Sequence, residues 1–339
     1  MADQPNLAPQ IEAFLRNALG VKRMEDRQIR LALTLLRQVL TQVERAIGSA
    51  NVLTVNRDQI ISQLIPQVAA SIQQTWGVQV LEQLQTDLLP FYERQLDFAR
   101  KMVELAGGDL TNAGAAAANS LQVAQTVNET IVGGKPLAQV LTQQLPVQIA
   151  DRVESYLRLG LSDVGGETLR TYQDAVIRAS ERGVEAVIRT GVHEVGSAAQ
   201  QAIYQYETDP DWGEGMLVWT AVLDSRVCPV CVALDGKEFP NTYKKVSPHY
   251  QCRCYLLPAK WRNDTITEPD GTTNPVKRPT EGDKGEGALS FKESAKEWVK
   301  ANPETAKEIF GNKIGQDLAD GKIGFDKALK LWQAPKRAT

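Results

Sequence analysis

The stretch "RQIRLALTLLRQVLTQVERAI", residues 27 to 47, limits what this chain can become more than any other. Ile29, Ala32, Leu33, Leu36, Val39, Leu40, Val43 and Ile47 recur at steps of three and four, so in a helix they form one wide apolar face. Such a face demands cover, either from the chain's own helices or from an oligomeric partner. Similar patterns at about 58 to 75 (Ile61, Leu64, Ile65, Val68, Ile72) and 79 to 105 supply the material for a bundle, with Pro66 and Pro90 as kinks or breaks. Aromatic residues make up only 6% of the chain, which favours helix-on-helix packing over sandwiches or barrels. The predicted fold class is therefore mainly α: a helical N-terminal bundle, a small α+β domain with a cysteine-rich, zinc-ribbon-like hairpin, and a helical C-terminal tail.

The period changes once. "MLVWTAVLD" (216 to 224) is β-branched and aromatic between turn-forming clusters and reads as a strand, with "CRCYLLP" (252 to 258) as a second. Before them, a helical segment runs through 136 to 207 with a break at "LGLSDVGGE" and bends at Gly183 and Gly191. The Gly- and Ala-rich run at 106 to 120 reads as a connection. Residues 259 to 287 hold Pro, Gly, Thr and charges with almost no apolar side chains, as an exposed linker would. The expected organisation is a helical N-terminal region at 1 to 135, a second domain at 136 to 258, the linker at 259 to 287, and a helical tail at 288 to 339 that docks on a neighbour. Ser290 and Glu293 form a capping-box pattern at the start of that tail.

All four cysteines lie in "CPVC" (228 to 231) and "HYQCRC" (249 to 254). Two cysteines separated by two residues wrap one edge of a tetrahedral metal site. Cys228 and Cys231 supply that edge, and Cys252 with either His249 or Cys254 supplies the opposite one. The cofactor expected is structural zinc. The competing readings are buried thiols acting as small hydrophobes, a disulfide network, and redox catalysis. The last is disfavoured because a turn, "DGKEFP", stands where a helix would be needed. His193 lacks the second histidine of a zinc-protease helix and reads as a partly buried helix position. Asp224 and Asp235 read as turn-capping carboxylates. With no Walker loop, GxGxxG or GxSxG, the sequence advertises no catalysis, and no enzyme is expected.

A net charge of −3 argues against an overall electrostatic nucleic-acid binder. The beginning of the chain carries no secretory pattern, and no run of about 18 apolar residues occurs, so no membrane association is expected.

Taken together, Trp219, Asp224, Cys228, Cys231, Leu234, Asp235, Gly236, His249, Cys252, Arg253 and Cys254 resemble the signature of the phage Mu F-like minor head proteins, the phage head morphogenesis family. "IRT" at 188 to 190 resembles that family's Ile-Ala-Arg-Thr-Glu segment, with Gly191 in place of the acid, and "HY" stands where His-Pro is usual. The resemblance covers about 140 to 258 and extends to part of the tail, but not 1 to 135. It implies a structural minor head protein of a tailed bacteriophage, in few copies, associated with the portal vertex and needed for head assembly or DNA delivery. It also implies portal or major capsid protein as partner, assembly in the host bacterial cytoplasm and a final place in the virion. No small-molecule substrate is expected. The alternative is a DNA-binding module whose loop, with Lys237, Lys244, Lys245, Tyr250 and Arg253, touches the packaged genome through phosphates.

Overall fold

The computed structural model describes residues 9–49, 57–105, 119–160, 168–204, 216–240, 242–245, 247–259, 265–267, 273–275, 277–283, 285–290 and 293–333. The chain is mainly helical with small sheets, as its periodicity predicts. Helix α1 (Pro9–Ser49) is followed by α2 (Arg57–Ser71), a π-helical turn at Ile72–Gly77, α3 (Val78–Asp87) and α4 (Leu89–Leu105). Pro66 lies inside α2, while Pro90 sits in the first turn of α4, just after the break at Leu88. Next come α5 (Ser120–Glu129), a two-residue hairpin pair β1 (Ile131–Val132) and β2 (Lys135–Pro136), a helical turn α6 (Leu137–Gln139), α7 (Leu145–Gly160) and the long α8 (Thr168–Tyr204). The connection read at 106 to 120 lies almost wholly outside the described residues, as does most of the break at 159 to 167.

From Ile29 to Leu40 the apolar stripe of α1 is covered by the chain itself, while the side chains of Val43 and Ile47 lie outside those described. Ile29, Ala32, Leu33, Leu36, Val39 and Leu40 are all buried in one cluster with α4 and α8, and the Trp76 indole donates to the Ala32 carbonyl at 2.7 Å. Each fully buried leucine contributes about 2 kcal/mol of hydrophobic stabilisation. This overturns the division at residue 135. Helix α8 packs against both α1 and α4, so the two regions share one core. The two glycines do not interrupt the helix: α8 runs unbroken through Gly183 and Gly191. Gly191 serves close packing instead, since a Cβ there would collide with the Leu137 side chain.

Arg189 of α8 ties the same interface, reaching Glu25 at 3.1 Å and Asp26 at 3.3 Å. Burial nevertheless dominates at Glu25 and drives its pKa from 4.5 to about 7 against the pull of Arg189. Between those values the folded chain holds a proton that the unfolded chain has released. The stability this supplies is complete below the unfolded pKa and is lost as pH rises through 7. Glu25→Gln is expected to remove that loss and to raise stability at pH 8 by about 3 kcal/mol, measured from urea midpoints at pH 5 and pH 8. An unchanged pH dependence would refute the assignment.

Strand β3 (Met216–Thr220) is the centre of a three-stranded antiparallel sheet, flanked by β4 (Glu238–Pro240) and β5 (Tyr255–Pro258), with Val218 opposite both Glu238 and Leu257. Between β3 and β4 lies the short helix α9 (Pro229–Leu234). Two hairpins follow: β6 (Thr265–Thr267) with β7 (Thr273–Pro275), and β8 (Lys277–Gly282) with β9 (Gly285–Ser290). The second corrects the linker reading of 259 to 287. Arg278 is buried and pairs with both oxygens of Asp235 at 2.5 and 2.8 Å, and Glu281 N–H donates to the Leu223 carbonyl at 2.8 Å. A segment poor in apolar residues is here ordered by a buried ion pair and backbone bonds.

The tail forms α10 (Ala295–Lys300), α11 (Pro303–Phe310), α12 (Asn312–Ala319) and α13 (Phe325–Gln333). Both α10 and α13 pack on α9, so the tail docks within this chain, on the cysteine-bearing element. Ser290 N–H donates to Glu293 as in the expected capping box, but the cap of α10 is Ser294, whose hydroxyl accepts from Lys296 N–H at 3.2 Å.

Candidate metal centre

Strand β3 ends and the chain turns at Asp224, which accepts from the Arg226 N–H at 2.9 Å. That turn delivers Cys228 as the N-cap of α9, its sulfur accepting the Cys231 N–H at 3.2 Å. The first pair thus sits on a short helix where the sequence suggested only a turn. Pro229 at the first helical position and Cys228 as cap are the signals that reveal it. The return to the sheet is fixed by Asp235, which accepts from Ala221 N–H at 2.9 Å, and by the pair Gly236 N–H to Trp219 O and Trp219 N–H to Lys237 O at 2.8 and 2.9 Å.

The second stretch enters from the far side. Gln251 has a left-handed backbone at φ 62°, and its N–H is caught by the Thr190 hydroxyl of α8 at 2.7 Å. The upstream "IRT" segment therefore meets the cysteine loop directly. From there Cys252 and Cys254 both reach the neighbourhood of Cys231, while Arg253 between them turns away to chelate Asp224 at 2.6 and 2.7 Å. This alternation is the one expected of extended backbone, although the regular strand begins only at Tyr255.

All five predicted ligands converge. Cys228, Cys231 and His249 form one group, and Cys231, Cys252 and Cys254 another, with ligand atoms in each group within 4.8 Å of one another. Cys231 is common to both, with its sulfur 3.2 Å from His249 Nε2 and 3.7 Å from the Cys252 sulfur. The His249 Nδ1 lies 2.6 Å from the Tyr250 carbonyl, which can only accept, so Nδ1 carries the proton and Nε2 faces the sulfurs. The cluster can hold a metal ion.

The electrostatics favour a cation there. Hydrogen bonding from Cys231 lowers the Cys228 pKa to about 5, and the same donor lowers Cys252 strongly, with help from Cys254 and Lys245. Cys231 is raised because it is the donor to its sulfur neighbours. Burial opposes charge on His249, but the Cys228 and Cys252 sulfurs outweigh it and lift that pKa to about 10. Thiolate character concentrated on buried sulfur draws positive charge toward the site.

Behind the sulfurs lies a buried ion pair that no local pattern of residues announces. Lys245 has a fully buried side chain, with Nζ 2.5 Å from Glu194 and 5.6 Å from the centre of the Trp219 ring, and the Ser247 hydroxyl donates to the same Glu194 oxygen. His193, the neighbour of Glu194 on α8, is buried with its ring 4.8 Å from that of Tyr255, and burial lowers its pKa. It is a helix position inside the core, more deeply buried than expected. Two of the residues assigned to a DNA-contacting loop are thereby taken out of play. Lys245 and Arg253 are spent on internal carboxylates, leaving only Lys237, Lys244 and Tyr250 exposed.

Asp224 and Asp235 do bond the turn backbone as expected, but each also receives an arginine, Arg253 and Arg278. Among the described residues no helix is long and apolar enough to cross a membrane. A scan against protein-family models gives no match, and comparisons with curated proteins and with solved structures yield none either.

Proposed function

We propose that this chain is a structural minor head protein of a tailed bacteriophage, seated at the portal vertex and serving head assembly or DNA delivery. The observation that supports this reading is the use made of the signature residues. Trp219, Asp224, Cys228, Cys231, Asp235, His249, Cys252, Arg253 and Cys254 are all engaged in bracing one small knob: buried rings, turn caps, ion pairs and a sulfur cluster. The chain is accordingly read as a non-enzyme whose cysteine module holds shape.

The metal in this reading is structural zinc, which suits a donor set of thiolates and one imidazole. The ligands proposed are Cys228, Cys231, Cys252 and His249, because His249 Nε2 lies 3.2 Å from the Cys231 sulfur and the Cys228 and Cys252 sulfurs raise its pKa. Cys254 is the sulfur left over. It is deeply buried and accepts a hydrogen bond from the Val222 backbone, which gives it a place in the core.

The test is co-expression of the full chain with the portal protein of the same phage, followed by gradient sedimentation of portal rings and immunodetection in purified particles. Co-sedimentation with the rings and presence in particles are expected. Absence from both would overturn the proposal. Deleting 1 to 135 would not serve, since α1 and α4 carry part of the core around α8.

A further inference from the structure

Helix α1 has two unlike faces. Its apolar face is buried between Val21 and Leu40, and its outer face carries Lys22, Arg23, Arg27, Arg30, Arg37 and Arg45, all exposed. The two acidic side chains described on α1, Glu25 and Asp26, are both engaged by Arg189 from α8. Of the exposed cations, Arg27 reaches Asp87 at 3.2 Å while remaining 62% exposed. Arg23, Arg30 and Arg37 are seven residues apart, which on an α-helix places them on one face, about 10 Å between neighbours, with a drift of only about 20° per step. From Arg23 to Arg45 the row extends about 33 Å, close to one turn of B-form DNA.

We infer that the outer face of α1 is a sequence-independent binding surface for the phosphate backbone of duplex DNA. Arginine predominates over lysine in the row, and its planar fork matches phosphate oxygens two at a time. The stripe exists in a chain of net charge −3, so it is a local concentration of charge and not a reflection of overall basicity. An anionic bilayer fits less well: Leu19 is the only large apolar side chain described as exposed on α1, and the apolar side chains described as buried between Val21 and Leu40 are already committed to the core. No aromatic ring is described as exposed on the helix, so base stacking is not offered and contact is with phosphates alone. The inference does not depend on the head-protein reading, and it places DNA on a surface distinct from the cysteine loop.

The experiment is fluorescence anisotropy of a labelled duplex of about 30 base pairs, a length of several half-turns, titrated with the full chain between about 50 and 200 mM salt. Wild-type protein is expected to bind with a log–log salt slope near −3 to −4.5, for three to five phosphates. The triple variant Arg23→Gln, Arg30→Gln, Arg37→Gln is expected to lose about 2.7 of that slope and at least about 30-fold in affinity at 100 mM salt. The corresponding triple Lys variant, which keeps the charge, should keep the slope. Loss of slope in the Lys variant would mean the effect is structural and would overturn the inference. So would an unaltered Gln variant, absence of binding at the lowest salt, or loss of binding on Lys237→Gln with Lys244→Gln alone. Tighter binding to phosphatidylserine vesicles or to poly-glutamate than to the duplex would equally overturn it, by assigning the stripe to a lipid or an acidic protein.

Discussion

Cys231→Ser is expected to empty the sulfur cluster, taking zinc from near one equivalent per chain to below about a tenth, and to destabilise the protein by at least about 3 kcal/mol. The size follows from position. Cys231 is the one ligand shared by both groups of the cluster, it caps nothing else, and it is almost wholly buried. Loss of a metal that binds only the folded state is loss of folding free energy, and a short three-stranded sheet has little core of its own to offset it. Elemental analysis of chelator-free protein, with thermal denaturation before and after a strong chelator, reads both effects. The fourth ligand is resolved by the same assay: His249→Ala should reduce metal content sharply, whereas Cys254→Ser should retain it. The reverse outcome would assign Cys254 to the metal. Wild-type protein with less than about a tenth of an equivalent of any metal, and four freely titrating thiols, would remove the metal centre altogether.

Lys245→Met should cost about 3 to 5 kcal/mol, more than most core truncations, because it leaves the Glu194 carboxylate buried without its counter-charge. The Ser247 hydroxyl still donates to that oxygen, but a neutral hydrogen bond does not replace an ammonium at 2.5 Å. The double variant Lys245→Met with Glu194→Gln should recover much of the loss, since the uncompensated charge is then gone. Urea denaturation of the two single variants and the double variant measures the coupling. A coupling energy below about 0.5 kcal/mol would show that the pair is not bound together in solution as described.

Much of this architecture can be read from residue order. Helical periodicity at 27 to 47 foretells both the element and its buried face, and the cysteine spacing foretells a convergence of five ligand atoms. What spacing leaves open is the company that charged residues keep. Lys245 and Arg253 look like a solvated basic loop until α8 brings Glu194 against one and the turn after β3 brings Asp224 against the other. Arg278 sits in a stretch poor in apolar residues, and no local pattern announces that its partner lies 43 positions earlier. Gly191 suggests a bend because a glycine's φ freedom is visible in sequence, whereas the Leu137 methyl that needs its empty space is not. Long-range electrostatic pairing and close approach are properties of the folded surface and carry little local signature.

The pairing of Asp235 with Arg278 also sets a timetable. The ribosome releases the cysteine loop before the hairpin that braces it, and at ~5–20 residues per second the arginine follows its aspartate by about 2 to 9 s. Throughout that interval the last residue of the α9 turn carries a carboxylate with only the Ala221 amide beside it, and the two tail helices that pack on α9 have still to be made. Once residue 254 is made, all four sulfurs are present while their housing is half built. Ion capture during synthesis would precede closure of the knob, and a chain truncated between residues 254 and 278 would present all four thiols with neither the arginine nor the tail in place.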